Sequence, residues 1–310
     1  MKNRTLGKNG IEVSAMGLGC WAIGGGELFT GIDDAESIRA LHAALDLGVN
    51  LLDTCEGYGP DSHSEEVIGK AIKGRRDDVV LCTKFKPFRS TETEIREALE
   101  GSLKRFGTDY LDIYLCRESG YINHRDIYNE TLQKLQDEGL IRAYGISSDS
   151  SLTNLKHHVE NANPSLCEIP FSIIKRSDAA LAYAEKHGLA AMNKSPLGMG
   201  MLTGKFNADT IFPKDDLRGR TGPGFEWLEE YFIDGKPRPD FLKKLEAIRE
   251  ILTADGRSLL QGALGWLWGR SDITIPIPGF KNVKQVTENC GALQFGALSK
   301  SQMNEIDEII

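Results

Sequence analysis

Eight short apolar runs, each parted from the next by a stretch with helical periodicity, constrain this chain more than anything else in it. The runs are Ala15–Trp21, Asn50–Thr54, Val79–Lys84, Tyr110–Cys116, Ala143–Ser148, Leu166–Phe171, Leu189–Ser195 and Ile273–Pro278. They are rich in Val, Ile, Leu and Tyr and mostly unbroken, the pattern of strands buried on both faces of a parallel sheet. Between them, Asp34–Leu47 sets Ile38, Leu41, Ala44 and Leu45 at helical spacing behind the acidic, capping sequence Asp33-Asp34-Ala35-Glu36. Thr91–Phe106 opens on Thr91 with Glu94 three residues on, a capping-box spacing. Further helices are expected at Ser64–Lys73, Asp126–Glu138, Ser151–Glu160, Ser177–His187, Asp240–Thr253, Ser258–Trp268, Val283–Ala292 and Ser299–Ile309. This alternation predicts an α/β fold, one (β/α)8 barrel over residues 1–310 with a β-hairpin at its N-terminus. A doubly wound open sheet is the competing arrangement. Against it, no G-x-G-x-x-G turn follows the first run, and Gly24-Gly25-Gly26 stands alone.

Residues 204–239 break the rhythm. They contain Pro213, Pro223, Pro237 and Pro239 together with Phe206, Phe212, Phe225, Trp227, Tyr231 and Phe232. Six aromatics argue against disorder, and a long irregular segment in a barrel is usually functional. The segment is expected to be a lid over the C-terminal mouth, after the seventh strand.

Charge narrows the partners. With 37 basic and 45 acidic residues the net charge is −8, and no basic block stands out. That excludes the clustered cations of nucleic-acid binding. No stretch approaches the ~18–20 apolar residues of a membrane span, and Met1–Gly7 lacks the apolar region of a secretory leader. Cys20, Cys55, Cys82, Cys116, Cys167 and Cys290 form no C-x-x-C pair and read as core residues of a reduced compartment. The expectation is a cytoplasmic protein acting on a small molecule, with no nucleic-acid or membrane partner. Nothing in the sequence signals an oligomeric state. A metal centre is not expected: His157 and His158 are adjacent on a helix, without carboxylates at ligand spacing.

In a barrel, chemistry sits where strands end at the C-terminal side. The second run ends in Asp53, followed by Thr54-Cys55-Glu56-Gly57-Tyr58-Gly59; the third ends in Lys84, the fourth in Cys116-Arg117-Glu118, the fifth in Ser147-Ser148. The sixth carries Glu168 and the seventh Lys194-Ser195-Pro196-Leu197. An Asp, a Tyr and a Lys from neighbouring strand ends can form a proton donor. A phenol titrates near 10, a nearby ammonium lowers that value, and the carboxylate keeps the ammonium charged, giving Tyr58 as general acid with Asp53 and Lys84 behind it.

These residues and their neighbours resemble the aldo-keto reductases. The resemblance runs from about Leu6 to the C-terminus through Asp53-Thr54-x-x-x-Tyr58-Gly59, Ser64-Glu65-x-x-x-Gly69, Thr83-Lys84, Asp109-Tyr110-Leu111-Asp112, Ser195-Pro196-Leu197-Gly198, Leu202-Thr203-Gly204-Lys205, Ile277-Pro278-Gly279 and Glu288-Asn289. It is nearest to the bacterial, potassium-channel-β-like and inositol-locus-like branches. It implies NADP(H) across the barrel mouth and hydride transfer between the nicotinamide and a carbonyl or alcohol carbon. Asp53, Tyr58 and Lys84 match three of the family's four catalytic positions. The resemblance further implies cofactor contacts from Gly19, Trp21, Asp53, Ser147, Ser148, Glu168, Lys194, Ser195, Leu197 and Lys205, and from Gly279, Lys281, Gln285, Glu288 and Asn289 at the adenosine end, with Lys281 facing the 2′-phosphate.

Four nicotinamide-side positions depart from the family pattern. Arg117 stands at the fourth catalytic position, where the family has His; Ser147-Ser148 replaces Ser-Asn, Glu168 replaces Gln, and Lys194 replaces a stacking Tyr. Arg stays protonated and presents a rigid fork of donors. It is expected to lower the Tyr58 pKa further and to favour an anionic substrate. Glu168 and Lys194, on adjacent strands, are expected to pair with each other. The alternative for Arg117 is a rim ion pair with Glu118 or Asp53. The leading function is therefore an NADP(H)-dependent oxidoreductase acting on a carbonyl or alcohol of a small, anionic or sugar-like substrate. The alternatives are enoyl reduction or transient-oxidation elimination or epimerisation, and a non-catalytic NADPH-sensing subunit.

Overall fold

The computed structural model describes residues 3–149 and 152–310. A hairpin of β1 (Arg4–Leu6) and β2 (Ile11–Val13) leads into β3 (Gly17–Gly19), β4 (Leu51–Asp53), β5 (Val80–Lys84), β6 (Leu111–Arg117), β7 (Ile141–Ser147), β8 (Leu166–Pro170) and β9 (Ala190–Lys194). A small ribbon of β10 (Phe232–Ile233) and β11 (Lys236–Pro237) precedes the last barrel strand, β12 (Thr274–Pro276). The eight barrel strands are parallel and bonded in chain order from β3 to β9 and then β12. The sheet closes where Gly19 pairs in parallel with Gly279 and donates its N–H to the Pro278 carbonyl at 3.1 Å. This is the (β/α)8 barrel that the alternation predicts.

Helices wrap the outside: α1 (Asp34–Asp46), α2 (His63–Ala71), α3 (Glu92–Phe106), α4 (Glu118–Tyr121), α5 (Arg125–Asp137), α6 (Leu152–Asn161), α7 (Asp178–Lys186), α8 (Pro239–Thr253), α9 (Leu259–Arg270), α10 (Val283–Phe295) and α11 (Lys300–Ile309). Asp33 caps α1 by accepting from the Ala35 and Glu36 amides, and Thr91 with Glu94 forms the expected capping box on α3. Strand ends are shorter than the apolar runs. The first run reaches from Ala15 to Trp21, but β4 beside it offers only three residues to pair, so the ladder stops at Gly19. Ser151, the expected start of the fifth helix, lies outside the described residues.

Strand alternation explains both the unbroken apolar runs and the site. Leu51, Val80, Cys82, Ile113, Leu115, Ala143, Leu166, Ala190, Met192 and Ile275 pack inside the barrel, while Leu52, Leu81, Tyr114, Ile146, Cys167, Ile169 and Ala191 pack outward against the helices. Side chains two apart share a face. Continuing each inward row one step gives Asp53, Lys84, Arg117, Ser147, Glu168 and Lys194. The top of the interior is thus charged and polar where its middle is apolar. At the bottom, Leu6, Ile11 and Val13 of the hairpin join the interior cluster and form its floor.

Two buried carboxylates hold the scaffold together. Buried Glu65 accepts from Thr83 and Ser102 and pairs with Arg105 at 2.6 Å, tying α2 to β5 and α3. Buried Asp112 accepts from the Leu81 amide and pairs with Arg76 and Arg142. Gly59 fixes the turn after Tyr58: its φ is +82°, and a Cβ there would fall 2.1 Å from the Gly24 carbonyl oxygen. Gly59→Ala is expected to cost at least about 2 kcal/mol, read as a lower denaturant midpoint at unchanged slope.

Residues 204–239 are built on their own aromatics. Phe206 meets Phe212 edge-on at 4.9 Å, Phe212 meets Phe232 at 5.2 Å, and the Arg218 guanidinium lies 4.2 Å over Phe212. The segment touches the mouth through Trp227, 6.3 Å from Trp21 just beyond β3, and through Glu230, whose two carboxylate oxygens each accept from Lys175 at 2.7 Å. All six cysteines are buried and free. Among the described residues no helix is long and apolar enough to cross a membrane.

Candidate active site

The centre of the polar layer is Lys84. Its ammonium donates to Asp53 Oδ1 at 2.5 Å and to the Thr54 carbonyl at 2.9 Å, and Glu168 Oε2 lies at 2.9 Å. All three side chains are nearly inaccessible to solvent, at 1%, 4% and 2%. Asp53 and Lys84 therefore form the expected pair, but the ammonium carries a second carboxylate as well. Burial opposes the charge on Lys84, yet Asp53 and then Glu168 outweigh it and hold the ammonium protonated well above its usual range. Burial, and Glu168 against the pull of Lys84, push the Asp53 carboxyl up to about 7. Burial also works against Glu168, but Lys84 and then Lys194 keep its carboxyl below the usual range. Two carboxylates around one ammonium leave one negative charge in excess, which favours a proton on the pair.

The Glu168–Lys194 pair expected from the sequence is not formed directly. Inward-pointing Glu168 reaches Lys84, whereas Lys194, nearer the rim, turns to Asp149 at 2.6 Å. Ser147 links them, donating to Glu168 Oε1 at 2.9 Å and accepting from Lys194 at 3.4 Å. Nor does Arg117 pair with Asp53 or Glu118. Buried Glu118 instead accepts from the Ser148 hydroxyl, the Asp149 amide and Asn154, which fixes the loop after β7. The described partner of Arg117 is the Cys55 thiol, 3.9 Å from its Nη1. Burial disfavours the guanidinium charge, but Cys55, Tyr58 and Asp149 more than restore it.

Tyr58 is partly exposed at the mouth. Its ring stacks on Trp21 at 5.8 Å, and the Lys84 nitrogen lies 5.6 Å from the ring centroid. The phenol differs from expectation. Burial pushes it well above its ordinary value; Lys84 pulls the other way, while Asp53, Cys55 and Glu168 add to the rise. The pull of Lys84 has the expected sign, but burial with Asp53, Cys55 and Glu168 outweighs it.

The positions expected at the adenosine end form a compact element of their own. The Lys281 amide donates to Gln285 Oε1 at 2.8 Å, and buried Asn289 donates to the Gly279 carbonyl at 3.3 Å. The Glu288 carbonyl accepts from Gln261. The Lys281 ammonium sits 5.3 Å over the Phe29 ring; desolvation and then Arg218 lower its pKa against the opposing pull of Asp216. Arg218 was missed in the sequence, since a cation in an aperiodic segment carries no positional signal. On the other side, Ser195 and Met199 both adopt left-handed backbone (φ +52° and +54°) in the turn after β9, with buried Leu197 between them and exposed Lys205 beyond. Gly19 and Trp21 lie at the barrel seam, between the two groups.

The donor set suits a dinucleotide. Glu168 Oε2 is buried with no directed hydrogen bond, so one carboxylate oxygen is open to an amide N–H. Lys281 and Arg218 bring two cations to the neighbourhood of one carboxylate, Asp216. Such a surplus favours a phosphate.

Polar groups gathered at the C-terminal mouth of a closed (β/α)8 barrel define an enzyme-like site. Residues 15–310 match the Aldo/keto reductase family. The chain is 31% identical over 326 residues to the aldo-keto reductase YhdN of Bacillus subtilis (strain 168), covering all of this chain and 94% of the relative. A glycerol dehydrogenase from Gluconobacter oxydans superposes with a TM-score of 0.82 at 28% identity, covering 99% of this chain and 94% of that one. An aldo/keto reductase from Klebsiella pneumoniae in complex with NADP and acetate gives a TM-score of 0.76 at 25% identity, covering 99% and 95%. The chain belongs to the aldo/keto reductase family.

Proposed function

We propose that the protein is an NADP(H)-dependent oxidoreductase that interconverts a carbonyl and an alcohol on a small substrate carrying an anionic group. The observation that carries the anionic preference is Arg117. Its guanidinium is half-buried in the polar layer, and no described carboxylate approaches within ion-pair distance of it. Even a half-buried guanidinium without an ion-pair partner gains from a ligand that supplies the counter-charge. Family membership and the NADP held by the Klebsiella relative support the choice of cofactor. Lys281 and Arg218 would hold its phosphate, and the open oxygen of Glu168 would accept from its carboxamide. When bound, the dinucleotide supplies or accepts the hydride at the substrate carbon. Tyr58 gives the proton to the carbonyl oxygen, Arg117 orients the anionic group, and Trp21 with Trp227 of the lid segment keeps water from the mouth.

A second reading, a nucleotide-binding subunit without turnover, is favoured by one observation: Lys84 is held between Asp53 and Glu168, and burial of the phenol outweighs its pull. The test measures NADPH-dependent reduction of matched anionic and neutral carbonyl compounds. Wild type is expected to prefer the anionic series by about tenfold or more. Arg117→His, which restores the family's residue, should erase that preference while sparing neutral aldehydes. Equal losses on both series would remove the anionic assignment, and NADPH binding without any turnover would select the second reading.

A further inference from the structure

The polar layer carries more negative than positive charge at one buried point. Asp53 and Glu168 both approach the Lys84 nitrogen, at 2.5 Å and 2.9 Å, and all three side chains are closed to solvent. With both acids ionised the trio holds one negative charge in excess, and burial leaves it little screened. A proton can settle that charge, and so can a cationic ligand. Glu168 is the member equipped to meet one. Its Oε1 accepts from Ser147 at 2.9 Å, whereas Oε2 has the Lys84 charge beside it but no directed hydrogen bond. Each carboxylate oxygen has two lone pairs, so Oε2 keeps acceptor capacity for a ligand N–H.

The other charges of the layer are matched or further off. Lys194 stands one hydroxyl away from Glu168, 3.4 Å from Ser147 Oγ, but its ammonium is paired with Asp149 at 2.6 Å. Arg117 is two strands from Glu168 in the ladder, by way of Ser147, roughly 10 Å at the usual strand spacing. Resting on the reading of Glu168 as acceptor for the carboxamide of bound NADP(H), we propose that Glu168 biases the site toward the oxidised nucleotide, whose nicotinamide ring is a cation, over the reduced form, whose ring is neutral. Lys194 acts in the opposite sense and is held in check by Asp149.

A neutral Gln at this position can accept the same N–H without weighing the charge of the ring. Glu168 keeps the hydrogen bond and adds a field. In carbonyl reduction a hydrogen leaves the ring with its bonding electron pair for the substrate carbon, and Tyr58 gives its proton to the substrate oxygen. The ring is left with one positive charge, in the direction that the carboxylate stabilises. Fixed charge placed where charge develops favours the step itself as well as its product. The bound couple is therefore a stronger hydride donor than the free one, and the oxidised nucleotide is the form that the site releases reluctantly.

The test measures dissociation constants of NADP+ and NADPH for the full-length protein, with thermal unfolding as the control for fold. At about pH 8 the Asp53 carboxyl, pushed up to about 7, is ionised along with Glu168. The adenosine half is common to both nucleotides, so the ratio Kd(NADPH)/Kd(NADP+) reports the ring alone. Glu168→Gln keeps the shape and the acceptor, and should lower that ratio by about tenfold or more. Lys194→Gln should raise it. Asp149→Asn, which frees Lys194, should lower it. An unmoved ratio in Glu168→Gln, with both nucleotides weakened equally or not at all, overturns the proposal, and so does a lowered ratio in Lys194→Gln. If Glu168→Gln fails to fold, the two rim variants decide: ratios that stay within about twofold of wild type overturn it. A wild-type protein that binds neither nucleotide sinks the NADP(H) reading. One that binds both, with a ratio indifferent to Glu168, sinks only the present inference.

Discussion

Tyr58→Phe is expected to lower carbonyl reduction by about 10²–10⁴-fold, the usual worth of a positioned proton donor. Its structural cost should be small. The ring contacts that seat residue 58, the stack on Trp21 and the approach of Lys84, involve the ring and survive the change. No hydrogen bond of the hydroxyl is among the described contacts, so its removal orphans no buried partner. NADPH binding and the thermal midpoint should therefore stay near those of wild type. Single-turnover reduction at saturating NADPH gives the comparison, and residual activity within about tenfold of wild type would mean that the proton comes from another group.

Lys84→Met is expected to act on stability first. It leaves Asp53 and Glu168 buried together without their cation, and breaking a buried pair from one side costs about 3–5 kcal/mol, a fall in Tm on the order of 10 °C at this chain length. The loss should depend on pH. In wild type, burial and Glu168 already push the Asp53 carboxyl to about 7, with Lys84 pulling down on both acids. Without that pull both carboxyls rise. A carboxyl raised in the folded state favours folding below its unfolded value, and that advantage disappears as pH climbs through the folded value. The deficit of Lys84→Met should thus be mild near about pH 5 and largest above about pH 7. Thermal unfolding across that range checks it; a deficit that ignores pH would point to lost packing instead of unpaired charge.

Much of this was legible because a barrel strand is a simple object. Where an apolar row ends in Asp53, Lys84, Arg117, Glu168 or Lys194, alternation alone puts the last side chain inside the barrel. What alternation does not encode is which of these side chains meet. Adjacent strands suggested that Glu168 and Lys194 would pair, but a glutamate on β8 reaches the lysine of β5 through the interior, and Lys194 is drawn out to Asp149. The same gap bears on Tyr58. The neighbours of a phenol can be guessed from motif order, whereas its depth follows from how Trp21 and the turn at Gly59 close around it. Arg218 lies at the far limit of legibility, in an irregular segment whose path is set by contacts among Phe206, Phe212 and Phe232.

The N-terminal hairpin has a kinetic consequence. Because Leu6, Ile11 and Val13 stopper the lower end of the cylinder, every molecule that visits the polar layer must use the same doorway, beneath Trp21 and Trp227. Traffic through a single entrance is last in, first out. Of two guests lying one behind the other, the deeper has to arrive before its companion and depart after it.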